Sequence, residues 1–159
     1  MADRMRVATE AAAGRSGSGP AALAALSTYL DGKGIDALAR SLGLTHSAAV
    51  RLVDGLEASG LAKRARGADG RSVSVMLTST GRTMGRDILA ARQRALTEVL
   101  DGLRSSERRA LMDACEKLLG GLTASRADAQ RICRLCDPDA CGHYEGRCPV
   151  TLAADAASR

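Results

Sequence analysis

The chain contains no Phe and no Trp, and only two Tyr (Tyr29 and Tyr144) and three Pro among its 159 residues. Any core must therefore be built from Leu, Ala, Val and Ile, and the Ala-Leu-Arg-rich composition favours helix. The same lack of aromatics argues against single-stranded nucleic acid as a partner, because that recognition stacks bases on aromatic rings. No segment approaches the ~18 consecutive apolar residues of a membrane-spanning helix. Met1 to Gly19 has no apolar stretch of the kind a signal peptide needs. A cytoplasmic protein with reduced thiols is expected, with no membrane partner. The length suits one domain of ordinary size with a small appendage.

The formal net charge is +5. Between Lys33 and Arg86 there are nine basic residues and only four acids, so this one segment carries the whole excess and the remainder sums to zero. Charge concentrated on one module predicts a polyanionic partner for that module; a solvated basic face is the plainer alternative.

The stretch from Ile35 to Leu77 organises the chain. Before it, Met1 to Gly19 reads as a flexible Ala/Gly/Ser arm. Pro20 then opens a helix of Ala21 to Leu30, with Leu23, Leu26 and Leu30 on one stripe. Asp31-Gly32-Lys33-Gly34 breaks that helix. A short helix from Asp36 to Leu42 ends at Gly43, and Thr45 caps a second whose residues Ala49, Leu52, Val53 and Leu56 must face the core. The opposite face holds Ser47, Ala48 and Arg51, small and polar with one long cation, as a helix lying against base edges requires. Leu61 to Arg66 and Ser72 to Leu77 then read as two strands around the turn Gly67-Ala68-Asp69-Gly70, with Lys63, Arg64, Arg66 and Arg71 at its shoulders. A cationic ribbon of this kind suits phosphate and minor-groove contact.

Helix, tight turn, helix, two-stranded ribbon is the order of a winged helix-turn-helix. The expected fold class is mainly α with a small β-wing, followed by long dimerisation helices. The expected organisation is a flexible arm over 1–19, a winged-helix domain with its N-terminal helix over 20–78, a helical dimerisation region over 79–132, a Cys-rich knuckle over 133–150 and a flexible tail over 151–159. In the dimerisation region, Thr80 is expected to cap a helix of Gly81 to Gly102. A second helix starts at Ser106, buries Leu111, Cys115, Leu118, Leu119 and Leu122, and runs on toward Ile132. Apolar faces this wide exceed what a small winged helix can cover, and a two-fold dimer would deliver two reading helices to a palindromic site.

Residues 21–122 resemble the MarR family of winged-helix transcription factors, through LARSLGLTHSAAVRLVDGLEASGLAKR and the wing sequence ADGRSVSVMLTSTGR. The resemblance implies a homodimeric regulator, most often a repressor, and not an enzyme. It implies that the helix from Thr45 reads the major groove through Thr45, His46, Ser47 and Arg51. It also implies that Arg71 enters the minor groove with Asp69 orienting the wing, and that the first and last helices form the dimer interface. The N-terminal helix expected from Ala21 is short for the family. Family members often bind a phenolic or lipophilic effector, but with almost no aromatics to line a pocket none is carried over. A competing reading is a protein-interaction adaptor that has lost DNA binding, against which the grouping of Arg64, Arg66 and Arg71 argues.

Residues 132–150 read ICRLCDPDACGHYEGRCPV, which sets Cys133, Cys136, Cys141, His143 and Cys148 within sixteen residues. A CxxC pair on a turn presents two thiolates to one ion, and the second pair returns after a loop short enough to close a tetrahedral site. Zn²⁺ held by Cys133, Cys136, Cys141 and either Cys148 or His143 is the expected cofactor. An iron–sulfur cluster is the alternative that Cys148-Pro149 suggests, and a redox thiol cluster a further one. The metal would either brace the dimer structurally or sense metal or oxidant and control DNA binding. Cys115, on an apolar helical stripe, is expected to be buried and uninvolved. His143 is the sole general-base candidate near the thiols, so a metallothiol enzyme is not expected.

Overall fold

The structure is a computed structural model that describes residues 1–66 and 72–158. Helix α1 (Ala2–Ala13) is followed by α2 (Gly19–Ala25), which widens into one looser turn over Leu26–Leu30. Strand β1 (Lys33–Gly34), helices α3 (Ile35–Leu42) and α4 (His46–Ala58), and strands β2 (Ala62–Arg66) and β3 (Val73–Leu77) make up the winged lobe. Helices α5 (Ser79–Leu100) and α6 (Ser105–Gly121) follow, then α7 (Arg126–Ile132) and α8 (Pro149–Ala156). No helix among the described residues is long and apolar enough to cross a membrane.

The core is aliphatic. Leu23, Leu26, Leu38, Val53, Leu56, Val75, Leu77 and Ile88 are all at most 2% exposed, joined by Ala22, Ala24 and Ala25. Each large side chain contributes about 1.5–3 kcal/mol relative to exposure. Leu23, Leu26 and Leu30 are buried together as their spacing predicts, and so are Ala49, Val53 and Leu56 on α4. Thr45 Oγ1 caps α4 by accepting from Ala48 N at 3.2 Å. Gly43 ends α3 with φ 65° and ψ 34°, a conformation a side chain would strain.

The three-stranded antiparallel sheet has the order β1-β3-β2, with Arg64 opposite Val75 and Lys33 also opposite Val75 on the other edge. Strand β1 falls in the segment expected to be only a helix breaker. It forms because Asp31 Oδ1 accepts from Leu77 N at 2.9 Å and Gly32 N donates to Val75 O at 2.9 Å. Those two bonds dock the start of the strand on β3.

Several expectations are corrected. Residues 1–19 are not a flexible arm: α1 is helical, with the pair Arg6–Glu10 at 2.8 Å along one face and Arg4–Glu98 at 3.4 Å reaching α5. Its Ala-rich face buries Thr9 and Ala13, and it supplies the N-terminal helical length that seemed short for the family. The cap of α5 is Thr78, accepting from Gly81 N at 3.1 Å, rather than Thr80. Helix α6 buries no residue; of the five expected to be buried, Leu111, Cys115 and Leu118 are exposed, Leu119 is half-buried, and Leu122, just past the helix end, is exposed, because within one chain α6 is covered mainly by α8. The chain breaks at Thr123 instead of continuing to Ile132, since Ser125 starts a new cap by accepting from Asp128 N. The segment expected as a flexible tail is helical over residues 151–156. Pro149 opens α8, which buries Val150 and Ala154 and ties Asp155 to Arg126 at 2.9 Å.

Without aromatic bulk, elements must approach closely. A Cβ at Gly85 of α5 would stand 2.6 Å from Ser27 Cβ and 2.8 Å from Leu23 O, whereas one at Gly55 of α4 would meet open space. Gly85→Ala should therefore destabilise by about 1–3 kcal/mol through overpacking. Gly55→Ala should instead stabilise by about 0.5–1 kcal/mol through helix propensity. Urea denaturation of the full chain reads both; equal effects at the two positions would refute the close approach.

Candidate nucleic-acid interface and cysteine pocket

Helix α4 presents Thr45, His46, Ser47, Arg51 and Asp54 to solvent along the face opposite Ala49, Val53 and Leu56. The ribbon of β2 and β3 stands beside it, with Lys63 and Arg66 exposed. Asp69 and Arg71 lie outside the described residues. The face thus carries small polar groups that can approach base edges and cations that can meet phosphates.

Two of the expected contact residues have partners within the chain. His46 Nδ1 lies 2.6 Å from Asp36 Oδ1, between two exposed side chains, and this links the front of α4 to the first turn of α3. Arg64 is held by two acids of α4: its Nη2 lies 2.8 Å from Asp54 Oδ1, its guanidinium also pairs with Glu57, and its backbone N–H donates to Glu57 Oε1 at 2.6 Å. Arg64 therefore straps the ribbon to α4, and its charge is largely spent inside the molecule. On the far side of the sheet, Arg82 pairs with Asp31.

At the other end of the chain, Cys133, Cys136, Cys141 and Cys148 line one cavity of about 310 Å³, with Tyr29 and His143 also at its wall. The local fold brings them there by short-range bonds. Cys136 N donates to Cys133 O at 2.9 Å, closing the CxxC turn. Asp137 Oδ1 accepts from Asp139 N and Ala140 N, turning the chain toward Cys141. Gly142 and Gly146 both take φ 69° and reverse it again. Cys148 is then the residue before α8, with Pro149 in the first turn, where proline fits best. That accounts for the Cys-Pro pair without a cluster.

The thiols interact in sequence, Cys133 with Cys136, Cys136 with Cys141, and Cys141 with Cys148. Proton sharing with Cys133 lowers Cys136 to about 7 against the opposing effect of burial, helped by Arg92. Cys133 is raised, first by that same interaction and then by burial, and burial raises Cys141 to about 11. Among the described residues, no group of three or more His, Cys, Asp or Glu side chains is already set to hold a metal ion. The donor chemistry nevertheless suits a soft divalent ion: four cysteines line one cavity with a guanidinium within electrostatic reach. His143 belongs to the rim. Its Nδ1 is engaged by Thr151 Oγ1 at 2.9 Å and its ring packs edge-on against Tyr144. Cys115 lies exposed on α6.

Sequence reasoning missed Ser41 and Tyr29. Ser41 is fully buried on α3, and its Oγ donates to Gln130 O at 3.1 Å; Tyr29 OH donates to the same oxygen at 3.1 Å and lies 3.3 Å from Ser41 Oγ. Burial raises Tyr29 to about 12. The signal was available: Ser41 stands three residues after Leu38 on the buried stripe, a polar group that demands a partner.

The chain matches a MarR-family transcriptional regulator of Silicibacter pomeroyi at 30% identity, over 76% of this chain and 80% of that one, with a TM-score of 0.57. The protein belongs to the MarR family. Its fold is likewise shared with a Mycobacterium tuberculosis MarR-family protein solved in complex with DNA (24% identity, 73% of this chain and 88% of that one, TM-score 0.57). It is also shared with MepR of Staphylococcus aureus, a regulator of a multidrug efflux pump (18% identity, 76% and 91%, TM-score 0.63). No protein-family model and no curated protein matches the sequence. Within this MarR-family fold, α3 and α4 form the helix-turn-helix and β2 and β3 the wing.

The strap from Arg64 to α4 should carry measurable coupling. A double-mutant cycle with Arg64→Ala and Glu57→Gln should give about 1 kcal/mol by urea denaturation, as expected of a half-buried pair. Coupling indistinguishable from zero would mean that the strap does not hold in solution.

Proposed function

We propose that the protein is a homodimeric, sequence-specific DNA-binding repressor that occupies a palindromic operator. The exposed polar face of α4, flanked by the basic ribbon, carries this reading. Thr45, Ser47 and Arg51 would meet base edges in the major groove, and His46 would contact a base or phosphate once released from Asp36. Lys63 and Arg66 would meet phosphates, Arg71 would enter the minor groove, and Asp69 would orient the wing. The DNA complex of the Mycobacterium tuberculosis relative supports this use of the fold.

The dimer reading rests on apolar surface that one chain leaves bare. Met112 is 57% exposed and Leu118 65% on α6, Leu122 just past its end 67%, and Val7 on α1 56%. A second copy covering these faces would place two α4 helices at half-sites one helical turn apart, about 34 Å. In the tail, the four thiols would hold a structural zinc ion, with Cys133, Cys136, Cys141 and Cys148 as ligands and His143 outside the set.

Operator duplexes are obtained by in vitro selection with the full-length protein. Arg71→Ala should weaken binding to the selected duplex by about 1–3 kcal/mol and reduce the salt slope by about 1. Sedimentation should find its dimer intact. Parent-like binding at physiological salt would refute the wing assignment. Leu118→Glu should shift the protein toward monomer in sedimentation; an unchanged dimer would place the interface elsewhere.

A further inference from the structure

The tail does not hang from the end of the helical region. It folds back onto the DNA-reading lobe, with α7 against α3 and the CxxC turn against α2. Gln130 is three residues before Cys133, and its carbonyl is one of the last four of α7, a group the helix itself leaves short of partners. Ser41 Oγ and Tyr29 OH both donate to it at 3.1 Å. Ser41 is 0% exposed, so its hydroxyl depends on this carbonyl and on Tyr29 OH, 3.3 Å away, in a place water does not reach. From Ser41 the connection runs along α3 to Asp36, and from Asp36 to His46 at the front of α4 over 2.6 Å. Helix α3 therefore touches the cysteine end through Ser41 and the front of α4 through Asp36.

Between Cys133 and Cys148 the chain is a three-residue turn and a run of reversals; of its side chains only Cys148 is buried, and Leu135 rests half-buried against the core. A segment like this gains most of its order from a bound ion, since the binding energy of a metal is also folding energy.

Resting on the zinc reading above, we propose that zinc at Cys133, Cys136, Cys141 and Cys148 acts as the latch that seats the Gln130 carbonyl on Ser41 and Tyr29. Metal occupancy thereby sets the position of α3 and the competence of α4 to bind DNA. Loading the site converts four thiols to thiolates, and the four protons pass to solvent. The resulting dianionic centre lies within reach of the Arg92 guanidinium of α5, which offsets part of its charge. Loss of the ion frees the CxxC turn and withdraws the carbonyl, leaving the Ser41 and Tyr29 hydroxyls to each other and to water. Helix α3, no longer held by α7, then shifts and carries the helix-turn-helix with it. Coupling of this kind between two sites spans 5- to 150-fold in affinity.

The test uses the full-length protein. Elemental analysis should find one zinc per chain in the parent and in His143→Ala, and none in Cys148→Ser. Removing zinc with a chelator should weaken binding to the selected operator duplex roughly tenfold, and added Zn²⁺ should restore it. Hydrogen exchange should quicken in α3 on the same treatment, a readout that needs no DNA. The double variant Tyr29→Phe with Ser41→Ala should keep its zinc yet bind the duplex equally with and without chelator. Zinc retained by the parent, with operator affinity and α3 exchange both unmoved by chelation, would overturn the latch and leave the metal site standing. No zinc in the parent, zinc retained in Cys148→Ser, or iron with visible absorption would overturn the site itself. Faster α3 exchange without any duplex binding would support the latch and count against the DNA-binding reading alone.

Discussion

Close approach between elements is the constraint on which the rest of this molecule depends. A core made without Phe or Trp gains enough contact only if its helices and strands pack with little between them. Helix α5 meets the lobe at two glycines, and a side chain on either would strike backbone. At Gly81 an added Cβ would stand 1.9 Å from Leu61 O, and at Gly85 2.8 Å from Leu23 O. The same Leu61 carbonyl accepts from Thr78 N at 3.1 Å, so the end of the wing and the start of α5 are fixed by one group. The winged lobe and the long helix are thus tightly joined, and a change on one is felt by the other.

Charge on the lobe is organised by the same packing. The segment from Lys33 to Arg86 holds the whole net excess, yet its cations are not equivalent. Arg64 and Arg82 are spent on Asp54, Glu57 and Asp31, where they lock the ribbon to α4 and the sheet to α5. Arg51, Lys63 and Arg66 stay on the exposed side. Residues of identical chemistry thus differ in whether their charge is already paired, and a count of charges does not separate them.

The tail packs back across the fold, α7 against α3 and the CxxC turn against α2. Proximity here is a matter of backbone as much as of cysteine. Ser125 caps α7, Asp137 turns the loop, Gly142 and Gly146 reverse it, and Pro149 starts α8. These devices bring cysteines from both ends of a sixteen-residue stretch to one cavity and leave His143 on its rim, tied to Thr151.

Local signals were readable wherever a residue's role depends on its neighbours in sequence. Thr45 and Gly43 bound the helices of the helix-turn-helix, the apolar period of α4 chose its buried face, and the cysteine spacing marked residues that the fold gathers around one cavity. They failed where the deciding partner is distant. Strand β1 exists because Asp31 meets Leu77; α1 is ordered because α5 offers it a surface; and α6, apolar enough to read as buried, is largely bare within one chain because it is covered mainly by α8. Ser41 is the clearest case. Its spacing alone put a polar group on a buried stripe, but only the return of α7 across the lobe supplied the carbonyl that makes burial tolerable. The sequence by itself determined the helix-turn-helix, its face and its charge. The tertiary structure decided which cations are already spent and that the cysteine end lies against the reading lobe, because both depend on atoms that only the folded backbone brings within bonding distance.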